Sequence, residues 1–144
     1  TGAQSKGTIQ SCGWQNSAMR TTHLPAILYL MPAEVKAAIR EVQKKTSAGN
    51  QSSSIQTTND KLFLLSEIEI FGSTTYSYAG EGTQYAYYQA GNSKVKNRNG
   101  GADYWWERSP HSGNADSFCY VNSSGSATDS NADYSYGVSF GFCV

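Results

Sequence analysis

Glu67 and Glu69 stand two positions apart in the run K-L-F-L-L-S-E-I-E-I-F, residues 61–71. Read as a strand, this run places both carboxylates on one face and Ile68 and Ile70 on the other. Paired carboxylates do general acid–base work only inside a cleft, and nothing else in the sequence argues for one here. Arg108, in the run Y-W-W-E-R-S (104–109), supplies a better role for them. A partly buried guanidinium paired with Glu67 or Glu69 fixes geometry through two parallel hydrogen bonds. Trp105 and Trp106 flank that pair as structural residues. The only histidines are His23, which reads as a boundary residue beside Pro25, and His111, which reads as a contact residue. There is no H-E-x-x-H, phosphate-binding loop, dinucleotide fingerprint or G-x-S-x-G. Three cysteines, Cys12, Cys119 and Cys143, are too few for a disulfide framework, fit no zinc spacing and read as small buried hydrophobes. The chain is therefore expected to have no catalytic residue, no cofactor and no metal site.

Recognition chemistry is concentrated instead in Ser109 to Gly137. Of these 29 residues, 20 are Ser, Asn, Asp, Gly or Tyr, and Lys, Arg, Gln, Glu, Met, Trp, Leu and Ile are absent. Tyrosine offers a large, stiff contact area with a polar tip, and Ser, Asn and Gly offer adaptable hydrogen bonds. That is the composition of an antibody-like binding surface. The expected contact residues are Tyr120, Asn122, Ser124, Asp129, Asn131, Asp133 and Tyr134, with His111, Asn114 and Asp116 at the edge. A hairpin near Gly125 brings Tyr120 and Asn122 beside 129–133, giving one contiguous exposed face. Phe118, Val121, Phe140 and Phe142 are the expected anchors beneath it.

The remaining composition excludes several function classes. Eleven basic residues balance eleven acidic ones, and no basic stripe or RNA-binding signature appears, so no attraction to nucleic acid is expected. No apolar run is long enough to span a membrane, so no membrane insertion is expected. The chain begins with Thr and carries no signal peptide, which reads as a mature form or an excised domain. Ten Tyr, three Trp, five Phe and 14 Gly favour a β-rich chain with many turns. A length of 144 residues suits a single domain, residues 1–144.

The elements that position these residues follow from periodicity. Residues 1–11 are polar and read as a linker or an opening strand. Trp14–Arg20 reads as a short helix with Trp14 and Met19 inward, and the apolar Leu24–Met31 is punctuated by Pro25 and Pro32. The spacing of Val35, Ala38, Ile39 and Val42 predicts an amphipathic helix over Pro32–Lys45. Glu34 in its first turn and Lys44 and Lys45 in its last complement the helix dipole. Ser47–Asp60 reads as a loop, and 72–103 as a long irregular, Tyr-containing region. Tyr104–Ser109 and Ser117–Asn122 read as strands, with Ser123-Ser124-Gly125 as the turn after the second. Gly137–Val144 (G-V-S-F-G-F-C-V) alternates Val138, Phe140, Phe142 and Val144 against small residues, a half-buried final strand. One amphipathic helix over C-terminally clustered strands predicts an α+β domain with an antiparallel sheet.

The segments W-x-x-S-x-M-R (Trp14–Arg20), L-F-L-L-S-E (Leu62–Glu67), Y-W-W-E-R-S-P (Tyr104–Pro110) and the ending G-V-S-F-G-F-C-V resemble a domain of gut bacterial surface proteins and their phages. That domain is similar to the C-type-lectin-fold variable proteins of diversity-generating retroelements, the group that includes the phage tropism determinant. The resemblance covers nearly the whole chain. It implies a C-type-lectin-like scaffold of two helices packed on antiparallel β-sheet, with a hypervariable ligand-binding region, here 109–137, near the C-terminus. In such systems template adenines are randomised, often within Asn codons ending in a pyrimidine. Randomising the first two bases of such a codon cannot yield Lys, Gln, Glu, Met or Trp, and all five are absent from Ser109–Gly137. The E-P-N, Q-P-D and W-N-D calcium ligands of sugar-binding C-type lectins are missing, so calcium-dependent sugar binding is not implied.

The resemblance implies a ligand-recognition module that binds a protein or glycan receptor on a target cell surface. It would act as a phage tail receptor-binding domain or a bacterial surface adhesin, and so be extracellular, on the cell surface or on the virion tail. Two other classes stand beside it. One is a formylglycine-synthase-like enzyme on the same fold, which needs a closely spaced reactive Cys pair, whereas Cys119 and Cys143 are far apart in sequence. The other is a structural virion or surface domain whose polar strands only face solvent. Fold alone does not choose among them.

Overall fold

The computed structural model describes residues 12–144; the linker or opening strand expected over 1–11 lies outside them. The chain is mixed α+β, with short helices and several small antiparallel sheets. It opens with α1 (Gly13–Asn16), a π-helical turn over Met19–His23, α2 (Leu24–Leu30) and α3 (Ala33–Ala38). Trp14 and Met19 are buried as expected, but the helix expected over Trp14–Arg20 is broken at the extended Ser17. Strands β1 (Val42–Gly49) and β2 (Ser52–Asp60) form a hairpin, followed by β3 (Phe63–Leu64), α4 (Glu67–Phe71) and α5 (Ala86–Gln89). A second hairpin, β4 (Lys96–Arg98) and β5 (Gly101–Asp103), precedes the three-stranded sheet of β6 (Trp105–Pro110), β7 (Ser117–Val121) and β8 (Ala127–Asn131). β9 (Phe140–Gly141) closes the chain by pairing with β3.

Several segments differ from the sequence expectation. The helix over Pro32–Lys45 stops at Ala38, where Ile39 turns extended, and Val42–Lys45 belong to β1. The local 3.6-residue pattern loses to tertiary contacts, because the β1 conformation sends Lys44 and Thr46 into the interior, where Glu69 and Arg108 receive them. The expected loop over Ser47–Asp60 is mostly β2, paired with β1 from Val42↔Asp60 to Gly49↔Ser52. Asn50 and Gln51 take φ of 51° and 58°, the left-handed pair of a two-residue hairpin turn.

The strand expected over 61–71 is a further difference. Only Phe63–Leu64 are extended, and Glu67–Phe71 is helical. Ser66 and Glu69 form a reciprocal capping box: the Glu69 amide donates to Ser66 Oγ and the Ser66 amide to Glu69 Oε2 at 3.0 Å. Gly72, at φ 75°, ends the helix in the left-handed conformation. Glu67 and Glu69 therefore do not share a strand face. Two residues apart on a helix, they point in different directions.

Two apolar clusters lie on either side of β6. Trp106 joins Trp14, Met19, Leu24, Phe63, Leu64 and Phe118 in the first; Trp105 joins Ile70, Tyr88 and Val121 in the second. Adjacent tryptophans thus serve different cores because neighbouring strand residues face opposite ways. The final strand is shorter than expected. Phe140 packs against the first cluster, but Val138, Phe142 and Val144 are exposed, Phe142 at 44%. Beyond β9 the tail bridges Arg40 at Cys143, and the exposed Phe142 joins neither described core cluster. Phe118 and Val121 are fully buried. Of the cysteines only Cys119 is buried, while Cys143 is exposed.

Candidate functional site

The site is built on β6–β7–β8, and buried charges fix that sheet to the rest of the domain. Arg108 has no solvent exposure. Its Nη1 donates to Glu69 Oε2 and to the Leu64 carbonyl at 2.9 Å. Its Nη2 donates to the carbonyls of Glu81 (2.7 Å) and Lys45 (3.2 Å), and its Nε to Thr46 Oγ1 (3.0 Å). The guanidinium therefore ties β6 to β1, β3 and α4. Glu69 gives its other oxygen to Lys44 Nζ at 2.8 Å. Burial alone would raise the Glu69 carboxyl, but Arg108 and Lys44 outweigh it and hold it below the usual carboxylate range.

Glu67 takes a different role. Its carboxylate accepts from the amides of Thr75, Tyr76 and Ser77 and from Ser77 Oγ at 2.7 Å, so it organises the loop after α4. Its own amide donates to Ser109 Oγ, and Ser109 in turn donates to Glu81 Oε2. Glu81 also accepts from the Ser47 amide at 2.8 Å. Burial pushes the Glu81 carboxyl up to about 7 despite the pull of Ser109, Ser47 and Arg108. Glu107 is buried beside it and is raised well above the usual range by burial, then by Glu67 and Glu81. The motif W-W-E-R-S-P is thus buried from end to end and acts as scaffold. Sequence reasoning found Arg108 and its glutamate partner but missed Glu81 and Glu107. Glu81 lies in a Gly-rich stretch with no periodicity to mark it as buried.

On the outer side of this scaffold lies an aromatic surface. Trp106, Tyr120 and Thr128 are cross-strand partners and share one face of the sheet. Tyr104 and Tyr136 close on Tyr120, with ring centroids 5.5 and 4.7 Å away, and Tyr134 stacks on Tyr136 at 6.0 Å. Trp106 lies beneath, 4.8 Å from the Tyr136 ring, and its buried Nε1 has no hydrogen-bond partner among the described residues. Burial raises the Tyr120 hydroxyl against a Thr128 hydrogen bond, with Tyr136 adding to the rise. Tyr134 is 52% exposed and Tyr104 is 38% exposed. Tyr104 and Tyr136 were missing from the expected contact set. Tyr136 was legible as the alternate partner of Tyr134 in Y-S-Y.

None of the ten expected contact residues is buried. Asn114, Ser124, Asn131, Asp133 and Tyr134 are exposed, and His111, Asp116, Tyr120, Asn122 and Asp129 are partly so. The expected single face, however, is divided. The register pairs Tyr120 with Thr128 and Cys119 with Asp129, so Tyr120 and Asp129 face opposite sides of the hairpin. Tyr120 and Tyr134 belong to the aromatic surface. Asp129 lies on the Cys119 side, 3.9 Å from His111 Nε2, and Asp116 is nearby through the hydrogen bond of its carbonyl with the Ala132 amide. Asn122 is spent on the turn: its Oδ1 accepts from the amides of Ser124 and Ser126, which fixes the loop tip at Gly125 (φ 84°). That turn stands where the sequence placed it.

Among the described residues no group of three or more His, Cys, Asp or Glu is placed to hold a metal ion, and no helix is long and apolar enough to cross a membrane. The Cys119 thiol is raised well above its ordinary value by burial, then by Glu107, which disfavours the thiolate that nucleophilic chemistry needs. No curated protein and no solved structure matches the chain. The model of a family described as a domain of unknown function, DUF6273, matches residues 2–144, and the chain belongs to that family.

Proposed function

We propose that this protein is a ligand-recognition module whose working surface is the aromatic face of β6–β8 and the polar loops around it. One observation carries the reading: Tyr104, Tyr120, Tyr134 and Tyr136 stack into a single, partly exposed surface on a sheet held by a buried ion-pair network. An aromatic anchor on β7, joined by tyrosines of the adjoining segments and ringed by small polar side chains, provides contact area with little loss of side-chain entropy. The ligand is a protein or glycan receptor on a target cell surface. The module acts at a cell surface, extracellularly or on a phage tail. On this reading the scaffold is C-type-lectin-like and Ser109–Gly137 is a retroelement-diversified region. The absence of Lys, Gln, Glu, Met and Trp from that region supports the diversification.

The test is an alanine scan over Tyr104 and residues 111–136, scored for thermal stability and for binding to arrayed glycans and bacterial surface proteins. Loss of binding at Tyr120 and Tyr134 with the fold retained supports the reading. Uniform unfolding, or binding indifferent to every substitution, overturns it. Diversification is tested separately at the gene. It requires a neighbouring reverse transcriptase and an imperfect repeat of the 3′ coding end that differs only at adenines.

A further inference from the structure

A second cleft lies between the β4–β5 hairpin and the chain at Gly137–Ser139, with a volume of about 290 Å³. Trp105 and Tyr104 form its aromatic wall, and Lys96 and Arg98 its basic rim. Asp103 is the one acidic residue lining it, and both of its oxygens are engaged. Oδ2 accepts from Arg98 Nε, and Oδ1 from the Tyr104 amide at 2.8 Å. Because Asp103 holds Arg98 through Nε, the two terminal nitrogens of the guanidinium remain for a ligand. The Arg98 side chain is 58% exposed. Lys96 Nζ sits 5.9 Å from the Trp105 ring, and among the described residues no carboxylate lies within ion-pair distance of it. The cleft therefore carries an excess positive charge beside an aromatic wall.

That combination selects a chemical class. A fork of two guanidinium nitrogens and a neighbouring ammonium match a carboxylate or sulfate. The partly exposed Tyr104 ring offers a flat face for the C–H side of a pyranose, and Asn97 and Ser139 offer partners for hydroxyls. The volume falls at the lower end of the usual range of about 300–1,000 Å³ for ligand sites, which suits one ring more than an extended ligand. A peptide strand would need free backbone along the wall. Here that backbone is already paired, Gly137 N–H to the Tyr104 carbonyl at 2.8 Å and Trp106 N–H to the Gly137 carbonyl at 3.0 Å.

We propose that this cleft binds a saccharide ring bearing an anionic group, carboxylate or sulfate, with Lys96 and Arg98 on the anion and Tyr104 against the ring. The cleft lies almost wholly outside Ser109–Gly137, shares only Tyr104 with the tyrosine face, and is tested on Lys96 and Arg98, which that face does not use. The experiment is an NMR titration of the ¹⁵N-labelled chain with trigalacturonate, a chondroitin sulfate tetrasaccharide, neutral maltotriose and tetraglutamate. At least one acidic saccharide is expected to shift the Trp105 indole N–H and the Val138 and Ser139 amides, and the stronger of the two identifies the anionic group. Maltotriose and tetraglutamate are expected to bind at least tenfold more weakly. Lys96→Met and Arg98→Gln should each weaken the acidic saccharide at least tenfold without changing the melting temperature. The proposal is overturned if neither acidic saccharide shifts these resonances, if both variants bind undiminished, or if tetraglutamate binds as well.

Discussion

Arg108 and Glu69 are joined in the interior by a charge-assisted hydrogen bond from Nη1 to Oε2, with Arg108 fully withdrawn from solvent. The same carboxylate holds Lys44 and completes the capping box at Ser66. A single side chain thereby connects β1, α4 and β6, and the β6–β8 sheet inherits its position from that junction. Arg108→Ala leaves Glu69 buried with only Lys44 to compensate it. A loss of about 3–5 kcal/mol is expected on the scale for breaking a buried pair. Urea denaturation monitored by tryptophan fluorescence measures it. Arg108→Lys should recover only part of the loss, since one ammonium cannot reach the carbonyls of Leu64, Lys45 and Glu81 together.

Stability should fall as pH rises through neutrality because of Glu81. Burial lifts its carboxyl to about 7 from an ordinary 4.5, so the folded protein holds this proton more tightly than the unfolded chain. Its contribution is full below pH 4.5 and declines as pH rises toward 7, a span worth about 3 kcal/mol. Glu107, raised by burial and by Glu67 and Glu81, acts in the same direction. Glu69, held low by Arg108 and Lys44, acts in the opposite one: it stabilises above the ordinary carboxylate value, and this is lost as the medium becomes strongly acidic. Denaturation midpoints across pH 4–9 should decline between about pH 4.5 and 7, and Glu81→Gln should flatten that decline. A midpoint that climbs from pH 5 to 8 would contradict the assignment.

The scaffold and the candidate site were legible to different degrees. The β6 and β7 strands and the Gly125 turn followed from aromatic alternation and turn chemistry, which are local signals. The partnership of Arg108 with one of the two glutamates followed from the cost of an isolated buried charge. Residues 32–45 misled because Val35, Ala38, Ile39 and Val42 fit a helix locally, whereas the contacts of Lys44 and Thr46 that impose a strand lie more than twenty residues away in sequence. Residues 66–72 carried a readable signal that was overridden. S-E-I-E followed by Gly72 is a capping box with a left-handed stop, yet the Ile/Glu alternation suggested a strand. The split of the contact residues depended on β7–β8 register, which one position decides.

Ser66 offers a direct check on that override. Its hydroxyl caps α4 and donates to the Glu81 carbonyl at 3.1 Å. Ser66→Ala should cost about 1–2 kcal/mol, from loss of the cap together with the buried hydrogen bond. A change within about 0.5 kcal/mol in chemical denaturation would mean that α4 is held by packing alone.

Within the tyrosine face, the energetic roles of Tyr120 and Tyr134 should separate. Among the described aromatic residues Tyr134 has a ring contact with Tyr136 alone, and it is about half exposed. Tyr134→Ala should therefore change stability by less than about 0.5 kcal/mol. Tyr120 packs edge-on against Trp106 and Tyr104 and tilted against Tyr136. Each such aromatic pair contributes about 0.5–1.5 kcal/mol beyond its buried area, so Tyr120→Ala should destabilise measurably. Tyr120→Phe keeps the rings and removes only the hydroxyl near Thr128, and should retain most of that stability. If the face is a recognition surface, Tyr134→Ala should weaken ligand binding at least tenfold while the melting temperature stays put, as expected of an aromatic hot spot. Asp129→Ala and Asn131→Ala, on the far side of the hairpin, should leave that binding nearly unchanged. Calorimetric titration of the five variants beside their thermal melts decides the matter. Equal losses from both sides of the hairpin would mean that the ligand wraps the β8 edge and does not seat on the tyrosines.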